Sequence, residues 1–295
     1  MASQTTGLIE LACPDMNKEK VIVDIVFIHG LGGDAQSTWT LGSCCWPRDL
    51  LPGDTPSARI LSFGYPANVT SFWGPLSKTN VDDHADSLRE ALLDVRLDCK
   101  DRPIIFVAHS LGGLVCAEAI LRAKQTAAND EVTIADSTHG IAFLGTPHRG
   151  SNEAKWGEIG RKIFSLVGKT NETLLKDLNH QSDRLVRIGQ DFPRWLRQQL
   201  DKNGEKVSVI CFFEAQDTKS TGGQMEDTIP YQSKADHMGM CKCKDRQDPI
   251  YQVIVGVLGR WVKRLEDDAK KESSQAGQNI SNSKAGPEAP TMVSI

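Results

Sequence analysis

Phe106-Val107-Ala108-His109-Ser110-Leu111-Gly112-Gly113 runs from a β-branched and aromatic strand pattern into a helical one through a turn with serine at its centre. The small residues Ala108 and Gly112 let strand and helix approach closely around that serine, and Ala stands where Gly is commoner. Such a turn is a nucleophile elbow, which projects Ser110 Oγ from the sheet edge while the following helix N-terminus faces a developing oxyanion. A serine that merely caps a helix would need no strand before it.

Working outward, Phe27-Ile28-His29-Gly30-Leu31-Gly32-Gly33 ends an earlier apolar run in a glycine-rich loop whose backbone N–H groups can converge on one point. Neither a Lys-Ser/Thr pair nor GxGxxG follows, so the loop does not read as a phosphate cradle. The amides of Leu31 and Leu111, each just past its turn, are the expected oxyanion donors. Val21 to Ile28, Arg59 to Phe63, Ile104 to Val107, Gly140 to Leu144 and Val207 to Phe213 read as five buried strands. Helical spacing lies between them at 82–97 and 111–123, and again at 251–265. That alternation predicts an α/β fold, a doubly wound, mostly parallel sheet.

From His148 to Lys206 only helical patterns are visible, with Trp156, Phe164, Phe192 and Trp195 among their apolar residues. Residues 148–206 are expected to form a helical cap within a single α/β domain spanning 1–265, although plain crossover helices would give the same pattern. Beyond Glu266 the composition turns polar, and 266–295 is expected to be a disordered tail.

The chain has 295 residues with Lys+Arg 34 against Asp+Glu 38, a net charge of -4 that lacks the electrostatic footprint of a nucleic-acid binder. No apolar run reaches the roughly 18 residues of a membrane span, and the first twenty residues lack the charge pattern of a targeting signal, so the expected compartment is cytoplasmic. Eight cysteines, none spaced CxxC, point to reduced thiols. The sequons at Asn68, Asn171 and Asn279 are then chance matches.

A serine needs a base to take its proton and an acid to orient that base, which in this fold follow in the order nucleophile, acid, base. His29 and His109 belong to their turns, His84, His139 and His180 carry no motif, and His148 comes too early. His237, after the strands and before the last helix, is the expected base. Glu214, just past the strand 207–213, is the expected acid, with Asp217 as its alternative and Asp236 a distant third because it adjoins His237. A metal reading of His237, Cys241 and Cys243 fits no standard zinc spacing, and neither metal nor cofactor is expected.

The phrases IVFIHGLGGDAQSTW, RILSFGYPA, FVAHSLGGLV, GIAFLGTPHRGS and ADHMGMCK, spread over residues 21 to 263, resemble the α/β-hydrolase superfamily. Within it the chain is similar to serine esterases that include the serine-active-site-containing proteins, the more distant GPI inositol-deacylases and fungal hydrolase modules placed before NACHT regions. The resemblance implies a triad of Ser110, Glu214 or Asp217, and His237, acting on lipid or small-metabolite esters. A thioesterase is equally compatible. Relatives carry a further apolar strand between acid and base, yet no Val/Ile run stands between Glu214 and His237. The expectation is therefore a missing strand, a displaced base loop, and the alternative of a catalytically impaired binding module.

Overall fold

A computed structural model describes residues 6–15, 19–67, 81–125, 134–146, 172–203, 207–214 and 229–284. Its frame is a sheet of seven strands: β1 (Gly7–Ala12), β2 (Val23–Ile28), β5 (Ala58–Gly64), β6 (Ile104–His109), β7 (Thr138–Leu144), β8 (Ser208–Glu214) and β9 (Ile229–Ser233), in the order β1-β5-β2-β6-β7-β8-β9. β1 runs antiparallel to β5 and every other pairing is parallel. A separate two-stranded hairpin joins β3 (Thr40–Leu41) to β4 (Cys44–Cys45).

The central strands are apolar without a break because both faces are covered. Val26 and Ile28 of β2, with Phe106 and Ala108 of β6, point into a core shared with α2 (Val81–Val95), α3 (Gly112–Gln125) and α4 (Glu172–Asn203). The alternate residues Ile25, Phe27, Ile105 and Val107 point the other way, into a core closed by α1 (Trp46–Asp49) and α5 (Pro249–Lys284). Each large side chain removed from water this way contributes about 1.5–3 kcal/mol.

Three expectations change. The strand expected to be missing is present: Ile229-Pro230-Tyr231-Gln232-Ser233 forms β9, paired in parallel with β8 from Ile210↔Ile229 to Glu214↔Ser233. As the sheet's edge it tolerates Pro230, whose lacking N–H would break a central ladder. The polar stretch 266–284 is not a tail but the continuation of α5, with Glu266 accepting a 2.7 Å hydrogen bond from Ser57 Oγ; 285–295 lies outside the described residues. Within the expected cap, the second half of α4 is a crossover helix between β7 and β8. Leu185, Ile188, Phe192 and Trp195 are buried in the first core, so two of the aromatics assigned to a cap pack the domain instead, while Trp156 and Phe164 lie outside the described residues.

At the end of β2 opposite His29, the fully buried Asp24 accepts from Arg59 Nε at 2.8 Å, from Arg102 Nη1 at 3.1 Å and from Arg96, itself 3% exposed. One carboxylate thus ties β2 to β5 and to the turn leading into β6. Removing one member of a buried charge cluster leaves the others uncompensated and costs about 3–5 kcal/mol. Asp24→Asn is expected to lower unfolding free energy by that amount, measured by urea denaturation; a loss under about 1 kcal/mol would show that the arginines find water instead.

Candidate active site

Ser110 occupies the turn between β6 and α3 with φ +52, and among the described residues it is the sole non-glycine residue with positive φ. A side chain in that left-handed region costs of order 1–3 kcal/mol, so the surroundings must hold it there. They do so through Ser110 N–H, which donates to the Leu144 carbonyl at the end of β7 at 2.8 Å, and through close packing of α3 beneath the loop after β2. A Cβ on Gly112 would stand 2.2 Å from the His29 carbonyl oxygen and 2.6 Å from that of Ile28. Only glycine permits that approach.

The loop after β2 is pinned by His29. Tyr65 N–H donates to His29 Nε2 at 3.2 Å, so Nδ1 carries the hydrogen and donates to the Gly30 carbonyl at 3.0 Å. Tyr65 O–H in turn donates to the His29 carbonyl at 2.8 Å, and the two rings stack with centroids 4.3 Å apart. Further along, Gly32 N–H donates to the Ala67 carbonyl at 2.7 Å. Leu31 and Leu111 are both buried, and neither backbone N–H finds an acceptor among the described residues.

His237 stands on the loop after β9, 7% exposed, with Nε2 2.9 Å from Ser110 Oγ. The other nitrogen, Nδ1, faces Gly145 at the end of β7, where a Cβ would lie 3.0 Å away. The loop is tied on several sides by residues remote in sequence. His109 Nε2 lies 2.9 Å from the His237 carbonyl, Trp46 Nε1–H donates to the Cys241 carbonyl at 3.0 Å, and Lys242 Nζ donates to the carbonyls of Ser37 at 2.9 Å and Thr40 at 3.0 Å. Met240, Cys241 and Cys243 anchor it in the second core, so both thiols serve packing, and burial pushes the Cys241 thiol up to about 12. All eight thiols are free.

Among the candidate acids, Glu214 closes β8 beside Ser233 with a side chain outside the described residues, and Asp217 lies outside them altogether. Asp236 is engaged elsewhere, its Oδ1 accepting from Gly239 N–H at 2.6 Å to hold the turn beyond His237. Sequence reading missed Tyr65, Trp46 and Lys242. Their contacts span 36, 195 and 205 positions, and no local pattern encodes such a separation.

Burial drives the pKa of His29 and of His84 down to about 4, and that of His109 to about 3, from an ordinary 6.5. Below about pH 6.5 the unfolded chain takes up protons that these rings refuse in the folded state, so stability falls as pH drops from there towards about 4. The urea midpoint at about pH 5 should lie well below that at about pH 7; equal midpoints would contradict neutral buried rings. Gly112→Ala should lower stability by about 1–3 kcal/mol through overpacking against main chain, which can yield only by moving the loop after β2. An unchanged urea midpoint would refute that contact.

Residues 25–223 match the model of the alpha/beta hydrolase family. Among curated proteins, the chain is 31% identical over 280 residues to Protein SERAC1 of Danio rerio, covering 82% of this chain and 40% of that one. With Protein SERAC1 of Bos taurus it is 29% identical over 265 residues, covering 79% and 38%. It thus spans about two fifths of these relatives' length. The mature lipase BlEst2 of Bacillus licheniformis superimposes with a TM-score of 0.49 at 15% identity, over 84% of this chain and 97% of that one. A mostly parallel sheet in this strand order, the serine turn between β6 and α3, and a family match over residues 25–223 place the chain in the α/β-hydrolase family.

Proposed function

We propose that the chain hydrolyses carboxylic esters through an acyl-enzyme on Ser110. The observation that carries this reading is the 2.9 Å contact between Ser110 Oγ and His237 Nε2 at the head of a left-handed serine turn. As Ser110 Oγ attacks the ester carbonyl carbon, its proton passes to His237 Nε2. Negative charge moves to the carbonyl oxygen, to which the Leu31 and Leu111 amides are assigned as donors, each such donor being worth on the order of a hundred- to a thousand-fold in rate. Collapse of the tetrahedral intermediate expels the alcohol, protonated by His237, and leaves the acyl group on Ser110. Water, activated by the same imidazole, then releases the acid. Serine and histidine with an orienting carboxylate need no metal or cofactor for this chemistry.

The acid that orients His237 is assigned to Glu214, with Asp217 second. The substrate is a small-molecule or lipid ester, and a thioester would follow the same steps. The catalytically impaired alternative drew its support from the missing strand. With β9 paired to β8, the base loop has its tether and that support is gone.

A fluorophosphonate should label the wild-type protein covalently, and labelling should vanish in Ser110→Ala and His237→Ala. Hydrolysis of a p-nitrophenyl ester should fall by about a millionfold in Ser110→Ala. Retained hydrolysis in that variant would sink the proposal. Of Glu214→Gln and Asp217→Asn, the one that replaces the orienting acid should cost on the order of ten-thousand-fold in turnover.

A further inference from the structure

The chemistry above leaves a buried histidine without a task. His109 immediately precedes Ser110, closes β6 and is 2% exposed. Its Nε2 lies 2.9 Å from the backbone carbonyl oxygen of His237, and the two imidazoles stand 5.0 Å apart, tilted by 48°. A carbonyl oxygen can only accept, so Nε2 carries the hydrogen and donates. Burial keeps the ring neutral, with its pKa near 3, so Nδ1 is bare. That nitrogen has no hydrogen-bond partner among the described residues and looks at Gly30, where a Cβ would stand 3.0 Å from it. The ring therefore spans the space between the loop after β2 and the loop after β9, directly behind the nucleophile.

Resting on the Ser110–His237 reading, we propose that His109 is a positioning residue, which by donating to the His237 carbonyl registers the base to the strand that presents the nucleophile. Nucleophile and anchor are adjacent in the chain, so any shift at the end of β6 carries both. The ties that Trp46 and the carbonyls of Ser37 and Thr40 make to this loop act further along it, at Cys241 and Lys242. A neutral ring is also the right occupant. Once His237 has taken the serine proton, a second positive charge 5.0 Å away would oppose it.

Two neutral amides test this in one cavity. Neither copies the imidazole in shape, but His109→Gln places an N–H near the position of Nε2, whereas His109→Asn places one only near Nδ1. Misplacement of a base by about 1 Å costs on the order of a hundredfold. The rate of fluorophosphonate labelling at saturating probe should fall about a hundredfold in His109→Asn and stay within about tenfold of wild type in His109→Gln, with the probe concentration for half-maximal rate unchanged in both. Equal rates in the two variants would overturn the proposal. Nitrogen NMR of the His109 ring in wild type supplies a readout independent of activity: Nε2–H is expected, and Nδ1–H would overturn the proposal. The carbonyl carbon shift of His237 should move in His109→Asn and not in His109→Gln, and the reverse would overturn it as well. A wild-type protein that shows Nε2–H and these carbonyl shifts yet fails to label would instead refute the hydrolase reading.

Discussion

The structure depends on a steric constraint at one turn. Ser110 is held at positive φ, and the helix that follows is pressed so close to the loop after β2 that no side chain fits at position 112. Left alone, a serine would relax out of that conformation. Hydrogen bonding of its N–H to the end of β7, and burial of β6 on both faces, over-determine the turn. The strain is thereby carried by the sheet rather than by the site. One consequence is that the loop after β2, which carries Leu31, lies directly against the serine turn, where a Cβ on Gly30 would stand 2.7 Å from Ser110 Cβ.

His237 reaches that serine by a different route. His237 sits on an edge loop, and its placement rests on contacts from β6, from Trp46 and from the segment around Ser37 and Thr40. Lys242 joins the loop of His237 to the segment around Ser37 and Thr40, which follows the glycine loop after β2. Trp46 extends the same linkage, its ring edge-on to Phe27 at 5.1 Å and to Tyr251 of α5 at 5.8 Å. Shape in this region is set by aromatic packing, which tolerates little displacement.

The five central strands and their order of alternation with helices were legible from runs such as Phe27-Ile28 and Phe106-Val107, because burial on both faces writes an unbroken apolar signal. Both edge strands escaped that reading. β1 alternates only loosely in burial, and β9 carries Pro230 and Gln232, which an edge tolerates and a central strand does not. The continuation of α5 past Leu265 escaped for a related reason. Residues 270–275 are exposed, and a polar helix and a solvated tail share that composition. Phe192 and Trp195 read as cap residues because an amphipathic face looks the same whether it covers a site or a core.

What the sequence by itself determined is the parallel α/β architecture, the elbow serine, the glycine loop and the place of His237 ahead of the last helix. These are local signals: hydrophobic period, turn chemistry and chain order, each read within a dozen or so residues. Only the tertiary structure decided that an edge strand leads into the loop of His237, that His109 touches the carbonyl of a residue 128 positions away, and that Tyr65 locks the tautomer of His29. Those contacts arise when the sheet brings the carboxyl ends of parallel strands to one edge. Sequence separation disappears there, and hydrogen-bond geometry takes over.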